Sequence, residues 1–380
     1  MRYSLLDYIN CPSCGGDLTC MIPAQEEKQR DDSVDMKEGL LYCEKCGHWF
    51  PIRDSIPELL PDLLRDWERD IEFFKTLKQK LSEEIFKELL DKSQPFASQG
   101  SAVGVKDEGI HYKKSEMSIK SKVTDDDFFG PGFSSPFNPG NPEFTMHLIR
   151  RLGNVLPLLE LKQGDVVLDI GAGYAWTTEW LKKMGIHSIG VDICRTYMDI
   201  GMKRMGENRP YLVIGDIENL PIKDHVLDAV LGYDAFHHIP NRNKAMSHFF
   251  RALKDRGNIV LAEPGGMHEF ADVSKEAMTK YGILEKGMDL EDVSHYCNGL
   301  NLLPPEQHFV LKIQRDEQNQ TLSPEFVHSH SYVDCNVFVV KKRLGKGEPR
   351  ERVSHSSRFI KKIKGTLKRL LTRIFLKLLH

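Results

Sequence analysis

VVLDIGAGYAWTTEWL, residues 166–181, is an apolar β-branched run that turns through two glycines into a helical pattern. Val166 to Ile170 read as a buried strand, and the residues from Trp176 onward as a helix. Between them, Gly171 and Gly173 let the backbone bend sharply and approach a ligand more closely than a Cβ would allow. The third position of the dinucleotide-binding fingerprint holds Trp176 where a glycine belongs, which disfavours a pyrophosphate resting on the helix N-terminus. Asp169, at the strand end, suits a cationic group instead.

Working outward, short β-branched runs at 188–193, 211–216, 227–233 and 258–263 alternate with helical patterns near 176–184, 195–205 and 242–254. This alternation predicts an α/β fold with a parallel, doubly wound sheet. Two late apolar runs, Phe309–Ile313 and Asn336–Val340, fit a closing antiparallel pair. Asp192 ends the second strand, where a carboxylate can accept bonds from both hydroxyls of a ribose. Asp216 ends the third strand, placed to read an adenine edge together with the Ile217 backbone amide. Each aspartate has a plainer alternative, as a turn or helix-cap residue. All three lie at the carboxyl ends of successive strands, the edge where open α/β sheets bind ligands.

The order VLDIGAG, VDI, GDIENLPIKDHVLDAV and DAFHHIPNRNKAMSHFFRALKDRGNIVLAEPG resembles the class I S-adenosylmethionine-dependent methyltransferases over residues 140–342. The resemblance implies a Rossmann-like sheet of seven strands. It also implies that Asp169, Gly171 and Gly173 face the methionine part of the cofactor, Asp192 the ribose and Asp216 the adenine. Asp234 then occupies the position after the fourth strand that borders the reaction centre.

Methyl transfer from a sulfonium needs alignment first, and a base only for a weakly acidic nucleophile. His237 and His238, beside Asp234, supply imidazoles at that edge for an alcohol or sugar hydroxyl, although either can pack locally instead. The Asn/Asp-Pro-Pro-Tyr run characteristic of amide and nucleobase nitrogen methylation is absent, which favours an oxygen acceptor. Glu263, in AEPGG, is a candidate for binding substrate hydroxyls or ordering a histidine, with bonding to backbone amides as its plainer alternative. The segment 276–293 is expected to be helical over the acceptor, making Tyr281, Glu285 and Lys286 further candidates together with His268.

Cys11-Pro-Ser-Cys14 and Cys43-Glu-Lys-Cys46 are two Cys-x-x-Cys knuckles, and four such thiolates suit one tetrahedral structural Zn²⁺. A redox reading lacks the surrounding βαβ pattern. Cys20 is left over, and His48 is not needed once four sulfurs complete the shell. LLDYINCPSCGGDL and GLLYCEKCGHWFPIRDSIPELLPD resemble the small zinc-ribbon activator subunit of tRNA, rRNA and release-factor methyltransferases. That resemblance, over residues 3–62, implies a docking and stabilising role with no catalytic residue, exerted by edge-to-edge pairing with a methyltransferase sheet.

These readings divide the chain into a zinc-ribbon domain (1–61), a helical segment and linker (62–127) in which apolar residues recur at helical spacing from Leu63 through Phe74, Leu81 and Ile85 to Leu89 before a linker at 93–109, a methyltransferase domain (128–345) that opens on the aromatic, Gly- and Pro-rich stretch 128–144, and a basic tail (346–380). The net charge of −3 conceals an asymmetry: residues 341–380 hold 14 Lys and Arg against 2 acidic residues, leaving −15 on the rest. FIKKIKGTLKRLLTRIFLKLLH, from Phe359, sets an apolar helical stripe against a basic one, the form of an amphipathic helix lying on an anionic membrane. Packing on the acidic body, or RNA binding, are its alternatives. No signal-like or bilayer-spanning run is seen, so a cytoplasmic protein, peripheral on the inner face of the membrane, is expected. The leading expectation is O-methylation of a sugar, a glycan or a lipid-linked intermediate. The rivals are a tRNA or rRNA methyltransferase and a non-catalytic scaffold.

Overall fold

The computed structural model describes residues 1–21, 35–98, 109–119, 134–206, 209–311 and 333–344. The expectation of a tail helix over 346–380 lies outside them, as do 128–133 of the Gly/Pro/aromatic stretch and 99–108 of the linker. Eleven strands form one sheet. They are β1 Thr19–Met21, β2 Gly39–Tyr42, β3 Trp49–Arg53, β4 Ile56–Leu59, β5 Val166–Ile170, β6 His187–Asp192, β7 Tyr211–Gly215, β8 Leu227–Tyr233, β9 Leu253–Glu263, β10 Glu306–Leu311 and β11 Val333–Lys341. The spatial order is β1-β2-β3-β4-β7-β6-β5-β8-β9-β11-β10.

The last seven strands make the Rossmann-like half expected from the sequence. β7, β6, β5, β8 and β9 run parallel, and β10 and β11 close the far edge antiparallel. The first four are an antiparallel ribbon whose last strand continues the same sheet. β4 pairs in parallel with β7, Glu58 opposite Ile214 and Leu59 opposite Gly215. A bridge between Ile9 and Ile222 extends the junction, and so do the bonds from Asn10 N to the Pro221 carbonyl and from Lys223 N to the Tyr8 carbonyl. Pairing of β4 covers an edge whose backbone groups would otherwise be open to other chains. Apolar packing follows the same path: Leu5, Ile9, Leu41, Phe50 and Leu59 of the ribbon belong to one buried cluster with Val191, Val213, Leu220 and Ile222. Met1–Arg343 is accordingly one compact unit.

Nine α-helices are described: α1 Trp67–Thr76, α2 Glu83–Ser98, α3 Ile110–Ser118, α4 Pro142–Val155, α5 Trp176–Lys183, α6 Arg195–Arg204, α7 Arg242–Ala252, α8 Asp272–Glu276 and α9 Leu290–Tyr296. α1 begins at Asp66, whose side chain accepts the Arg69 amide. It packs Phe74 between Trp49 of the ribbon and Phe86 of α2. The helical register breaks in the short 3₁₀ turn Lys78–Lys80, so Phe86 is buried while Ile85, which a continuous period places inside, is exposed. Residues 93–98, expected as the start of a linker, continue α2.

The helices expected over 276–293 are present at both ends of that span but not in its middle. Ala277–Tyr281 form a single π turn that ends at Gly282, whose φ of 72° is left-handed. Residues 282–289 then cross the site as irregular chain before α9 begins. No helix among the described residues is long and apolar enough to cross a membrane.

Candidate active site

The carboxyl ends of β5, β6, β7 and β8 open into a cavity of about 400 Å³. Gly171 and Gly173 adopt left-handed φ of 58° and 52° in the turn after β5. A Cβ on Gly171 would lie 2.5 Å from that of Ala235, so the β5 and β8 turns touch there. One on Gly173 would meet no atom within 4 Å; Gly173 lines the cavity, and its bare backbone leaves room for a ligand. Asp192 at the end of β6 accepts the Gly173 amide on Oδ2 and the Cys194 amide on Oδ1, both at 2.7 Å, which fixes its carboxylate at the cavity wall. Burial lifts its pKa from 3.8 to about 6.

Asp169 is placed differently from the expectation that it faces a methionine amino group. It is 1% exposed, does not line the cavity, and accepts the Thr177 and Thr178 hydroxyls at 2.6 Å each. The short apolar strand leaves its carboxylate beneath the turn, where it ties β5 to the start of α5. Burial raises this pKa to about 6 as well.

Asp216 and Ile217 both line the cavity. Asp216 caps the following 3₁₀ turn by accepting the Glu218 amide, so the cap alternative and the wall position hold together. Its Oδ2 also meets Lys113 of α3 at 3.1 Å, and Lys113 reaches Glu218 at 2.8 Å. Burial pushes the Lys113 ammonium down, but the two carboxylates more than offset this and hold it above the usual lysine range. Sequence reasoning missed Lys113, because a lysine in a helix with little amphipathic pattern gives no local sign of its distant partners. Sequence reasoning also missed Phe144 and Leu148 of α4, which form part of the apolar wall; an amphipathic helix marks its apolar face but not which part of that face borders a cavity.

At the end of β8, Asp234 has a left-handed φ of 58°, lines the cavity and pairs with Arg151 at 3.3 Å. The adjacent histidines separate. His238 lines the cavity, and its Nδ1 lies 2.7 Å from the Leu284 carbonyl. A carbonyl only accepts, so Nδ1 carries the proton and Nε2 is the basic nitrogen. Burial and the neighbouring His237 charge lower its pKa to about 4.

His237 is 3% exposed and off the cavity wall, between Glu263 at 2.7 Å and Glu285 at 3.4 Å. Burial alone would depress it; the two carboxylates raise it to about 10, which removes it as a neutral base at pH 7. Glu263, fully buried at the end of β9, accepts the Ala235 and Phe236 amides as well as His237 Nδ1. Of its expected roles it takes two, bonding backbone amides and ordering a histidine. Tyr281 and Glu285 line the cavity, and His268 reaches Glu285 at 2.6 Å. Lys286 is off the cavity wall and donates its amide to the His237 carbonyl.

In the ribbon, the sulfurs of Cys11, Cys14, Cys43 and Cys46 lie within 4.8 Å of one another. The Cys11–Cys46 and Cys14–Cys43 separations are 3.6 and 3.5 Å. Four sulfurs at about 2.3 Å from a tetrahedral Zn²⁺ stand roughly 3.8 Å apart, so the set fits that ion with little movement. Each knuckle closes through a left-handed glycine, the amides of Gly15 and Gly47 bonding to the Cys11 and Cys43 carbonyls. Cys20 packs against Met36 and the His48 ring bonds to Asp62, so neither side chain joins the cluster.

Residues 168–261 match the methyltransferase domain family, and residues 2–55 the Trm112p-like protein family. Methyltransferase GfsG of Streptomyces halstedii is 23% identical over 197 residues, spanning 50% of this chain and 68% of that protein. Phosphoethanolamine N-methyltransferase 2 of Caenorhabditis elegans is 26% identical over 180 residues, 46% of this chain and 39% of its own length. "Probable tRNA methyltransferase 9B" of Homo sapiens is 30% identical over 110 residues, 29% and 21% of the two chains. Among solved structures, the Haloferax volcanii complex of the Trm112 activator with a methyltransferase aligns with TM-score 0.41 and 16% identity, over 54% of this chain and 94% of that one.

Proposed function

We propose that this chain, an S-adenosylmethionine-dependent methyltransferase with a Trm112-like zinc ribbon joined to its own sheet, methylates a hydroxyl oxygen on a sugar or glycan carried by an apolar or lipid group. The observation that carries the reading is His238: it lines the cavity as a neutral imidazole whose Nδ1 is committed to the Leu284 carbonyl. Gly171, Gly173, Asp192, Asp216 and Ile217 would hold the donor, with Asp169 supporting their turn from beneath. Bound there, the donor supplies a methyl carbon on a positively charged sulfur.

His238 Nε2 would take the proton of an acceptor hydroxyl oriented beside Asp234 as that oxygen takes up the methyl carbon, whose former bonding pair stays with the sulfur of the departing donor, and would then return the proton to solvent. Ile119, Phe144, Leu148, Tyr233 and Ile283 keep bulk water from the reacting atoms.

An apolar carrier is supported by the surface around the lining residues Ser135 and Val273. Phe137, Met267, Phe270 and Val273 are each more than half exposed. The basic amphipathic sequence from Phe359 suits an anionic membrane surface, the place where such an acceptor resides. Incubation of the full chain with radiolabelled methyl donor and separate lipid-linked glycan, soluble glycan and tRNA fractions tests the proposal. Label recovered as a sugar methyl ether supports it; label confined to another fraction ends it.

A second reading is favoured by the Trm112-like domain and by the match to a tRNA methyltransferase: an RNA acceptor. Ribonuclease-sensitive label and salt-sensitive RNA binding would establish it.

A further inference from the structure

Beside the acceptor end of the cavity, three ligand atoms from separate parts of the chain converge. His237 Nε2 comes from the turn after β8, His268 Nε2 from the 3₁₀ turn His268–Phe270, and Glu285 Oε2 from the irregular crossing 282–289. His237 lies 3.4 Å and His268 2.6 Å from the same Glu285 oxygen, and all three atoms fall within 4.8 Å of one another. We propose that His237, His268 and Glu285 form a second metal site, for a divalent first-row transition ion, opening on the acceptor pocket.

Three observations support it. The first is the tautomer of His237. Glu263 Oε1 accepts the Ala235 and Phe236 amides, so this carboxylate is anchored as an acceptor, and His237 Nδ1, 2.7 Å from Oε2, must carry the proton. With Nδ1 committed to Glu263, Nε2 is the nitrogen that His237 turns toward Glu285, and a metal ion would take the place of the proton that bridges them in the metal-free chain. A buried carboxylate ordering the far nitrogen of a histidine is also the usual support of a metal-ligating imidazole.

The second is size. Ligands at roughly 2.0–2.2 Å from a tetrahedral ion stand about 3.4 Å apart, the His237–Glu285 separation, and His268 needs only a small outward shift. His268 is about a quarter exposed on its short turn, so such a shift meets little resistance. The third is the donor set. Two imidazoles and one carboxylate suit Zn²⁺ or Mn²⁺ and leave coordination positions open. Glu285 itself lines the cavity, so an open position there faces the acceptor, where the ion would orient and polarise an oxygen. Binding of the ion is independent of which acceptor the enzyme takes. The rival arrangement is a chain of carboxylates and protonated imidazoles with no metal.

The experiment is metal analysis of the full chain. The wild type, His268→Ala, and His268→Gln, which keeps a donor for Glu285 but no imidazole, are loaded with Zn²⁺, Mn²⁺ and Co²⁺ in separate trials, freed of excess by gel filtration, and counted by mass spectrometry. The ribbon's four thiolates provide an internal reference of one ion per chain, and its thiolate-to-cobalt absorption reports that the fold is intact. The expected result is two ions in the wild type with at least one of the three metals, and one ion in the His268→Gln chain, still showing the thiolate band. One ion in the wild type with all three metals overturns the proposal, and so does a second ion retained by both variants.

Discussion

Two regions of the sheet each gather side chains able to bind metal, and they do so in opposite ways. At the β7 edge, four cysteines come from two knuckles, each closed by its own left-handed glycine within a few residues. At the carboxyl ends of β8 and β9, His237, Glu263, His268 and Glu285 stand on four separate segments and meet only because the strands and the 282–289 crossing are in place. The first cluster is local and can form wherever its ribbon folds. The second is a product of the tertiary fold, so it should be easier to alter one residue at a time.

The largest expected effect tests whether the ribbon is a separable module. Removing residues 1–61 takes Leu5, Ile9 and Leu59 out of the shared cluster and uncovers the β7 edge with Val213 and Ile222, so little or none of the truncated chain should be soluble. A soluble, cofactor-binding truncation, seen by gel filtration and calorimetry, would show that the continuous core is dispensable.

Next in size is the contrast between the two histidines. His238→Ala should lower kcat by about 10²–10⁴ while leaving cofactor affinity within error. His237→Ala should instead act on stability, since it strips a partner from two buried carboxylates, a change worth about 3–5 kcal/mol in a denaturant titration. Equal loss of kcat without destabilisation in both variants would erase the distinction.

Asp192→Ala should weaken cofactor binding by roughly 10–100-fold, the loss of charge-assisted bonds to the ribose hydroxyls. The pH dependence sharpens this. Burial sets the pKa of Asp192 at about 6, so cofactor affinity should hold above pH 7 and fall below pH 6 as the carboxylate protonates. The contribution to stability has the opposite sign. A carboxyl lifted from 3.8 to about 6 binds its proton more tightly in the folded chain, so its contribution is fully present below pH 4 and lost as the pH rises through 6. Isothermal calorimetry and thermal melts across pH 5–8 should therefore diverge.

The smallest effect belongs to the junction rim. Arg195 reaches Glu58 at 2.8 Å and Asp54 at 2.9 Å across the ribbon boundary, but Asp54 is exposed and Glu58 keeps Arg53 as a second partner. Arg195→Ala should cost about 1 kcal/mol in a thermal melt, which would place the strength of the junction in its strand pairing and apolar packing.

Much of this organisation was legible in the residues. The alternation of β-branched and helical patterns from Val166 to Val340 reports the sheet, because strand and helix bury their apolar faces at different periods. The Cys-x-x-Cys pairs report their cluster because each knuckle is built within one turn. Where the reading failed, a distant contact or a single conformational residue decided the outcome. Gly282 ends the π turn after α8 and separates the expected helices by an irregular crossing. The break at Lys78–Lys80 exchanges Ile85 for Phe86 at the core.

By itself, then, the order of residues determined the strands, the glycine turn after β5, the positions of Asp192 and Asp216 at their strand ends, and the four thiolates, since all of these are set within a few bonds of backbone. Only the tertiary structure decided that Asp169 lies under the turn, that β4 joins β7, and that neighbouring histidines differ in charge. Those outcomes depend on which carboxylates, carbonyls and apolar faces arrive from far along the chain. A histidine's proton follows its surroundings, and His237 and His238, adjacent in sequence, have different ones.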